Sequence, residues 1–182
     1  MNTNYDKIKS DLLDFGKRNG ACLGQYQRLY KAESIEDIIS VVKDNFKWCI
    51  QYKDFADVLM ANRKQFAEHQ IWINQDVEIE EGVGFLLVTE GSINAKSWDT
   101  STINATSRGP STINATSCGP STINAKSWDT STINAESYGT STMIIHTLNI
   151  ECEVNDRSIA RYVYDNRIVI ADTSVTVEQY HK

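Results

Sequence analysis

The sequence is poor in the features that mark most functional classes. Basic residues are outnumbered, 18 Lys and Arg against 24 Asp and Glu, giving a formal net charge of −6. The chain therefore lacks the positive field that phosphate backbones or anionic lipid would require, and neither nucleic acid nor a membrane surface is an expected partner. Met1 to Ile8 contains no apolar run resembling a signal peptide, and no stretch is long and apolar enough to span a bilayer. The expectation is a soluble, cytoplasmic protein. The four cysteines, Cys22, Cys49, Cys118 and Cys152, form no C-x-x-C pair, so they read as free thiols rather than as a zinc ribbon or a disulfide framework. His69, His146 and His181 show no H-x-x-H or H-E-x-x-H spacing, so neither a metal site nor a catalytic base is read from them. No cofactor is expected. No separate linker is visible either, so any two parts of the chain are expected to dock.

What is present is a tandem repeat. From Gly91 the chain reads GSINAKSWDT, STINATSRGP, STINATSCGP, STINAKSWDT and STINAESYGT, then STMIIHTLNI. Self-similarity at a short fixed period marks an architecture in which each unit buries its apolar side only by stacking on its neighbours. Within each unit Ile at the third place and Ala at the fifth alternate with Thr, Asn and a variable sixth residue, which is the period of a strand. Ile93, Ile103, Ile113, Ile123 and Ile133 then share an inward face with Ala95, Ala105, Ala115, Ala125 and Ala135, and the seventh-place serines fit the same parity near a corner. Asp-Thr, Gly-Pro and Gly-Thr pairs supply the turns. An antiparallel meander is the structural rival, but these pairs are poor two-residue hairpin turns, and near-identical units suit in-register parallel stacking. One coil takes either ten residues or twenty, and both remain open.

The regions on either side differ. Tyr5, Ile8, Leu12 and Phe15 predict a first helix. Ser34, with Asp37 three residues on, approximates a capping box for a second helix running to about Gln51, and a third is expected from Asp54 to His69. After His69 the period falls to two, through Ile71, Ile73, Val77 and Ile79 and then Phe85 to Val88. The tail from Met143 keeps a strand pattern, with His146, Leu148, Ile150, Cys152 and Val154 on one face, and Arg157, Arg161, Arg167 and Glu178 suit a closing coil. The expected class is α+β: a small helical N-terminal cap over residues 1–70, followed by a β-solenoid over 71–182. The regular repeats occupy 91–141 and an irregular β cap occupies 142–182.

Asp44-Asn45-Phe46-Lys47-Trp48-Cys49, Asn74-Gln75, Gly84-Phe85-Leu86-Leu87, the repeats and Asn149-Ile150-Glu151-Cys152-Glu153 together carry a resemblance. On these residues the chain resembles uncharacterised gut-bacterial proteins with a helical N-terminal part and short Thr/Ala-rich tandem repeats. Those repeats are commonly eight residues long rather than ten. The resemblance implies a β-solenoid and brings no activity or site with it.

The functional expectation is non-catalytic binding. The eighth place holds Trp98, Arg108, Cys118, Trp128 and Tyr138, and an arginine does not belong in a narrow dry core, so this column is expected to face outward. Trp98, Arg108, Trp128 and Tyr138 are the candidate binding surface, presented to a protein partner and acting in one version as an inhibitor that mimics acid. With ten-residue coils Trp98, Arg108 and Cys118 are consecutive rungs. With twenty, Trp98 stacks on Cys118 and Tyr138, and Arg108 on Trp128. A purely structural or self-assembling repeat is the alternative. Less favoured are an ice-binding solenoid, from Thr100-Ser101-Thr102, Thr130-Ser131-Thr132 and Thr140-Ser141-Thr142, and an enzyme with a junction pocket around Trp48, Trp72 and Glu80. The acidic run Asp76, Glu78, Glu80 and Glu81 lacks calcium-loop spacing and reads as a solvated strand edge. Cys118 is expected beside Arg108 in the column, where the arginine could lower its pKa, but an inert thiol is the favoured reading.

Overall fold

A computed structural model describes residues 3–146, 150–154, 159–162 and 167–170. It is an α+β chain whose N-terminal helical part is followed by a parallel β-solenoid. The chain divides after Ile71 into two compact units.

The helical unit contains α1 (Thr3–Arg18), α2 (Leu23–Tyr30), α3 (Ile35–Asp44), α4 (Phe46–Cys49), α5 (Lys53–Ala61) and α6 (Arg63–Glu68). The capping box is present: Ser34 Oγ accepts from the Asp37 amide at 3.1 Å, and Asp37 Oδ2 accepts from the Ser34 amide at 3.1 Å. Two helices expected as continuous are broken, each at an asparagine. The Asn45 side chain donates to the Val41 carbonyl at 2.7 Å and the Asn62 side chain to that of Val58 at 2.9 Å. In this way each amide bonds locally to the backbone, and the helix ends there. The core joins Phe15, Phe46 and Phe55 with Trp48 and Tyr52 in edge-on and tilted pairs, at centroid distances of 5.0–6.1 Å.

The strands that follow are β1 (Ile71–Ile73), β2 (Val77–Ile79), β3 (Val83–Val88), β4 (Gly91–Ser97), β5 (Thr102–Ser107), β6 (Ser111–Ser117), β7 (Thr122–Ser127), β8 (Thr132–Ser137), β9 (Thr142–His146), β10 (Ile150–Val154), β11 (Ile159–Tyr162) and β12 (Arg167–Ile170). They form two sheets. The first has the order β1-β3-β5-β7-β9-β11-β12 and the second β10-β8-β6-β4-β2. Ile93 pairs with Ile113 and Ile103 with Ile123 in parallel register. One coil therefore takes two decapeptides, and consecutive units lie in opposite sheets. β12 pairs antiparallel with β11 and so closes the first sheet.

The core between the sheets is narrow. Ile103, Ile113, Ile123 and Ile133 have no exposed surface, and the alanines of the fifth place are buried beside them. Larger side chains, Val77, Ile79, Leu86 and Val88 at one end and Met143 and Ile145 at the other, belong to the same cluster. The seventh-place serines are inward, with Ser127 only half-buried, and so are the first-place serines from Ser101 to Ser141. At three corners the two come together: Ser97 and Ser101, Ser117 and Ser121, and Ser137 and Ser141 have their Oγ atoms 2.7 Å apart. The Oγ atoms of Ser121 and Ser141 also lie 3.0 and 3.1 Å from the carbonyls of Ser97 and Ser117, one coil back. The hydroxyls thus satisfy buried groups that a methyl would leave unpaired.

The ninth place makes the corner possible. Asp99, Gly109, Gly119, Asp129 and Gly139 all have positive φ, from 48° to 72°. Glycine takes that conformation freely, and aspartate tolerates it better than most residues. At Gly139 an added Cβ would also lie 3.2 Å from the amide nitrogen of Gly119 on the neighbouring coil.

The tail departs from expectation. His146 is half-buried on the outward parity of β9, beside inward Ile145, whereas Ile150, Cys152 and Val154 register with the inward positions Ile133, Ala135 and Ser137 of the other sheet. They do not share a face, because β9 and β10 belong to different sheets. Leu148, Arg157 and Glu178 lie outside the described residues.

Candidate interaction surface

The twenty-residue coil decides where the eighth-place residues go. Trp98, Cys118 and Tyr138 follow strands of the second sheet, and Arg108 and Trp128 follow strands of the first. Trp98, Arg108, Trp128 and Tyr138 therefore lie along two opposite edges of the solenoid instead of forming one ladder. None is buried; Trp98 is 36% exposed and the other three are half-buried.

On one edge the aromatic groups bond to carboxylates. Trp98 Nε1 donates to Glu78 Oε1 at 2.6 Å, and the Tyr138 hydroxyl donates to Glu136 Oε2 at 3.1 Å. Cys118 stands between these aromatics in the stack, and not beside Arg108. Its thiol pKa is raised, chiefly by burial, with Glu136 adding to the rise and Lys96 opposing it. The disfavoured alternative, a pKa lowered by Arg108, fails because it needed ten-residue coils to put the two side by side.

On the other edge two cations meet one ring. The Arg108 guanidinium lies 5.1 Å from the centre of the Trp128 ring and Lys126 Nζ lies 4.5 Å from it. At an exposed site each such contact is worth about 0.5–1 kcal/mol. The sequence reading missed Lys126 because it treated the sixth place as merely variable, although a cation two residues before a tryptophan on one strand end was visible.

The two sheet faces also differ in charge. Among the described residues, the outward positions of β5, β7, β9 and β11 carry Thr, Asn and Ile together with Lys126, His146 and Arg161, and no carboxylate. Outward positions of the second sheet carry Glu78, Lys96 and Glu136 in one column. Asparagine ladders run along both faces. Asn114 donates to Asn94 at 3.3 Å and Asn134 to Asn114 at 3.0 Å on one face, and Asn124 to Asn104 at 3.0 Å on the other. These bonds fix the amides in step with the coils.

Asp76 accepts from the Asn94 amide at 2.7 Å, so the acidic run is partly engaged by the next coil. Among the described residues no three His, Cys, Asp or Glu side chains are grouped closely enough to hold a metal ion. Thr100 is exposed in a turn, Ser101 is buried and Thr102 lies on a strand, so the triplet bends around a corner and makes no flat rank. Trp48 belongs to the helical unit and Trp72 to the solenoid, where its ring occupies the space a Cβ on Gly84 would need, 2.5 Å from Cζ3. Among the described residues no helix is long and apolar enough to cross a membrane. No family model, curated protein or solved structure matches the chain.

Proposed function

We propose that the protein is a non-catalytic binding protein whose solenoid presents a rigid surface to a protein partner. The observation that carries this reading is the edge at Trp128, where Arg108 and Lys126 both lie against one ring next to a sheet face without a described carboxylate. Tryptophan and arginine dominate interface energetics when they are clustered and desolvated on binding. In a chain of net charge −6, a face of this kind favours an acidic patch on the partner, since complementary charge sets register and encounter rate. The inhibitor version, in which the chain mimics acid, would use the opposite edge, around Glu78 and Glu136.

The test separates binding from folding. Arg108→Ser with Trp128→Ser should leave the melting transition close to that of the wild-type chain, since surface changes usually cost less than about 0.5 kcal/mol each. Affinity capture from the cell of origin should recover a partner with the wild-type chain and lose it with this variant. Retained capture by the folded variant would move recognition elsewhere. A purely structural role is the second reading, supported by the asparagine ladders. It predicts no specific partner with either protein.

A further inference from the structure

We propose that the helical unit binds a small, neutral aromatic molecule, of one or two fused rings with a single N–H or O–H group, in an apolar cavity lined by its first four helices and open on one side. The cavity measures about 210 Å³. An apolar cavity of about 150 Å³ in a protein core stays dry and accepts benzene, so the available space fits a ring system of indole or naphthol size. Its walls are aromatic and aliphatic: Phe15, Tyr26 and Trp48 with Leu12, Leu29 and Val42. Aromatic walls favour a planar guest through edge-on and offset contacts.

The chemistry of the lining selects for a neutral guest. No Asp, Glu, Lys or Arg lines the cavity. Burial pushes the Cys49 thiol in its wall up to about 12, so that group also stays uncharged at neutral pH. An ionised ligand would give up its hydration with no opposite charge to meet it. Besides the Tyr26 hydroxyl, the Trp48 indole N–H and two thiols, the lining residues include two amides: Asn45 Nδ2 donates to Gln25 Oε1 at 3.2 Å and to the Val41 carbonyl at 2.7 Å. With the Asn45 N–H donors so engaged, Oδ1 is the acceptor this proposal assigns to a ligand N–H or O–H. The cavity is lined at one side by Gly20, Ala21 and Cys22, between α1 and α2, where Gly20 and Cys22 are exposed. This is its mouth.

The full chain is titrated with indole and, separately, with anionic indole-3-acetate, while amide chemical shifts are followed by NMR. The expected result is saturable one-to-one binding of indole with a Kd between about 10 µM and 1 mM. Its shifts should fall within residues 12–49, and the anion should bind at least tenfold more weakly. Ala21→Trp, which fills the mouth at a half-exposed position, should abolish those shifts while the rest of the spectrum is retained. Absence of saturable binding, shifts centred on the solenoid, or equal affinity for the anion would overturn the proposal from the wild-type titrations alone, whatever the folding of the variant.

Discussion

Ile123→Asp should destabilise the protein by more than about 4 kcal/mol, the scale reserved for charges placed in a core without a partner. Ile123 has no exposed surface and pairs with Ile103 on one side and Met143 on the other. Every coil is therefore held to its neighbours across that position. Against a typical total of about 5–15 kcal/mol, the urea midpoint should fall by a large fraction. The pH dependence has a defined sign. In the folded variant the buried carboxyl would have a raised pKa, so the penalty is smallest below about pH 4, where the group is protonated in both states. It should grow as pH rises toward the folded-state value. A variant that melts like the wild-type chain at neutral pH would mean that the third place does not face inward.

The second large effect concerns coil length. Removing residues 101–120 excises one whole coil. Afterwards β7 can take the place of β5 against β3, and β8 the place of β6 against β4, in the same register. Because stability in such stacks is a sum over neighbouring interfaces, the shortened protein should melt cooperatively, with a loss of about 1–2 kcal/mol and a midpoint lowered by about 2–8 °C. Removing residues 111–120 is a different operation. Every later strand is then sent to the opposite sheet, and the antiparallel closure by β12 follows it to the wrong side. That protein should lose its cooperative transition in a thermal melt followed by circular dichroism. Equal tolerance of both deletions would argue that coil size is ten.

These expectations show which parts of the structure were legible in the sequence. Strand positions and inward parity were, because Ile and Ala at places three and five leave only one way to bury a narrow core. Coil size was not. Identical decapeptides satisfy a ten- or a twenty-residue coil equally well in composition, and the choice is made by where the chain turns at the positive-φ ninth place.

The candidate surface inherited that ambiguity. Trp98 and Trp128 occupy near-identical units, yet they stand an odd number of units apart and so fall on opposite edges. Lys96 and Lys126 are separated in the same way, one in a column with Glu78 and Glu136 and the other beside Arg108. A charge difference between faces cannot be seen in a repeat until its sheet assignment is known.

In the helical unit, α2 was missed because its apolar residues make no stripe. Leu29 is buried, while Leu23 and Tyr30 are 71% and 66% exposed. The cavity was beyond sequence reading altogether, since it depends on how four helices fail to fill the space between them.

The most direct test of the two-sheet solenoid is a pair of engineered disulfides, made with the native cysteines replaced by serine. Asn104 and Asn124 are register partners on adjacent parallel strands, about 4.8 Å apart on ordinary strand spacing, which is within the range of roughly 4.4–6.8 Å between Cα atoms that a disulfide requires. Asn104 and Asn114 face outward from opposite sheets. Under mild oxidation Asn104→Cys with Asn124→Cys should cross-link nearly completely in the folded chain, and Asn104→Cys with Asn114→Cys should remain reduced. Efficient cross-linking of the second pair, with none in the first, would contradict the twenty-residue coil and the separation of the two edges that follows from it.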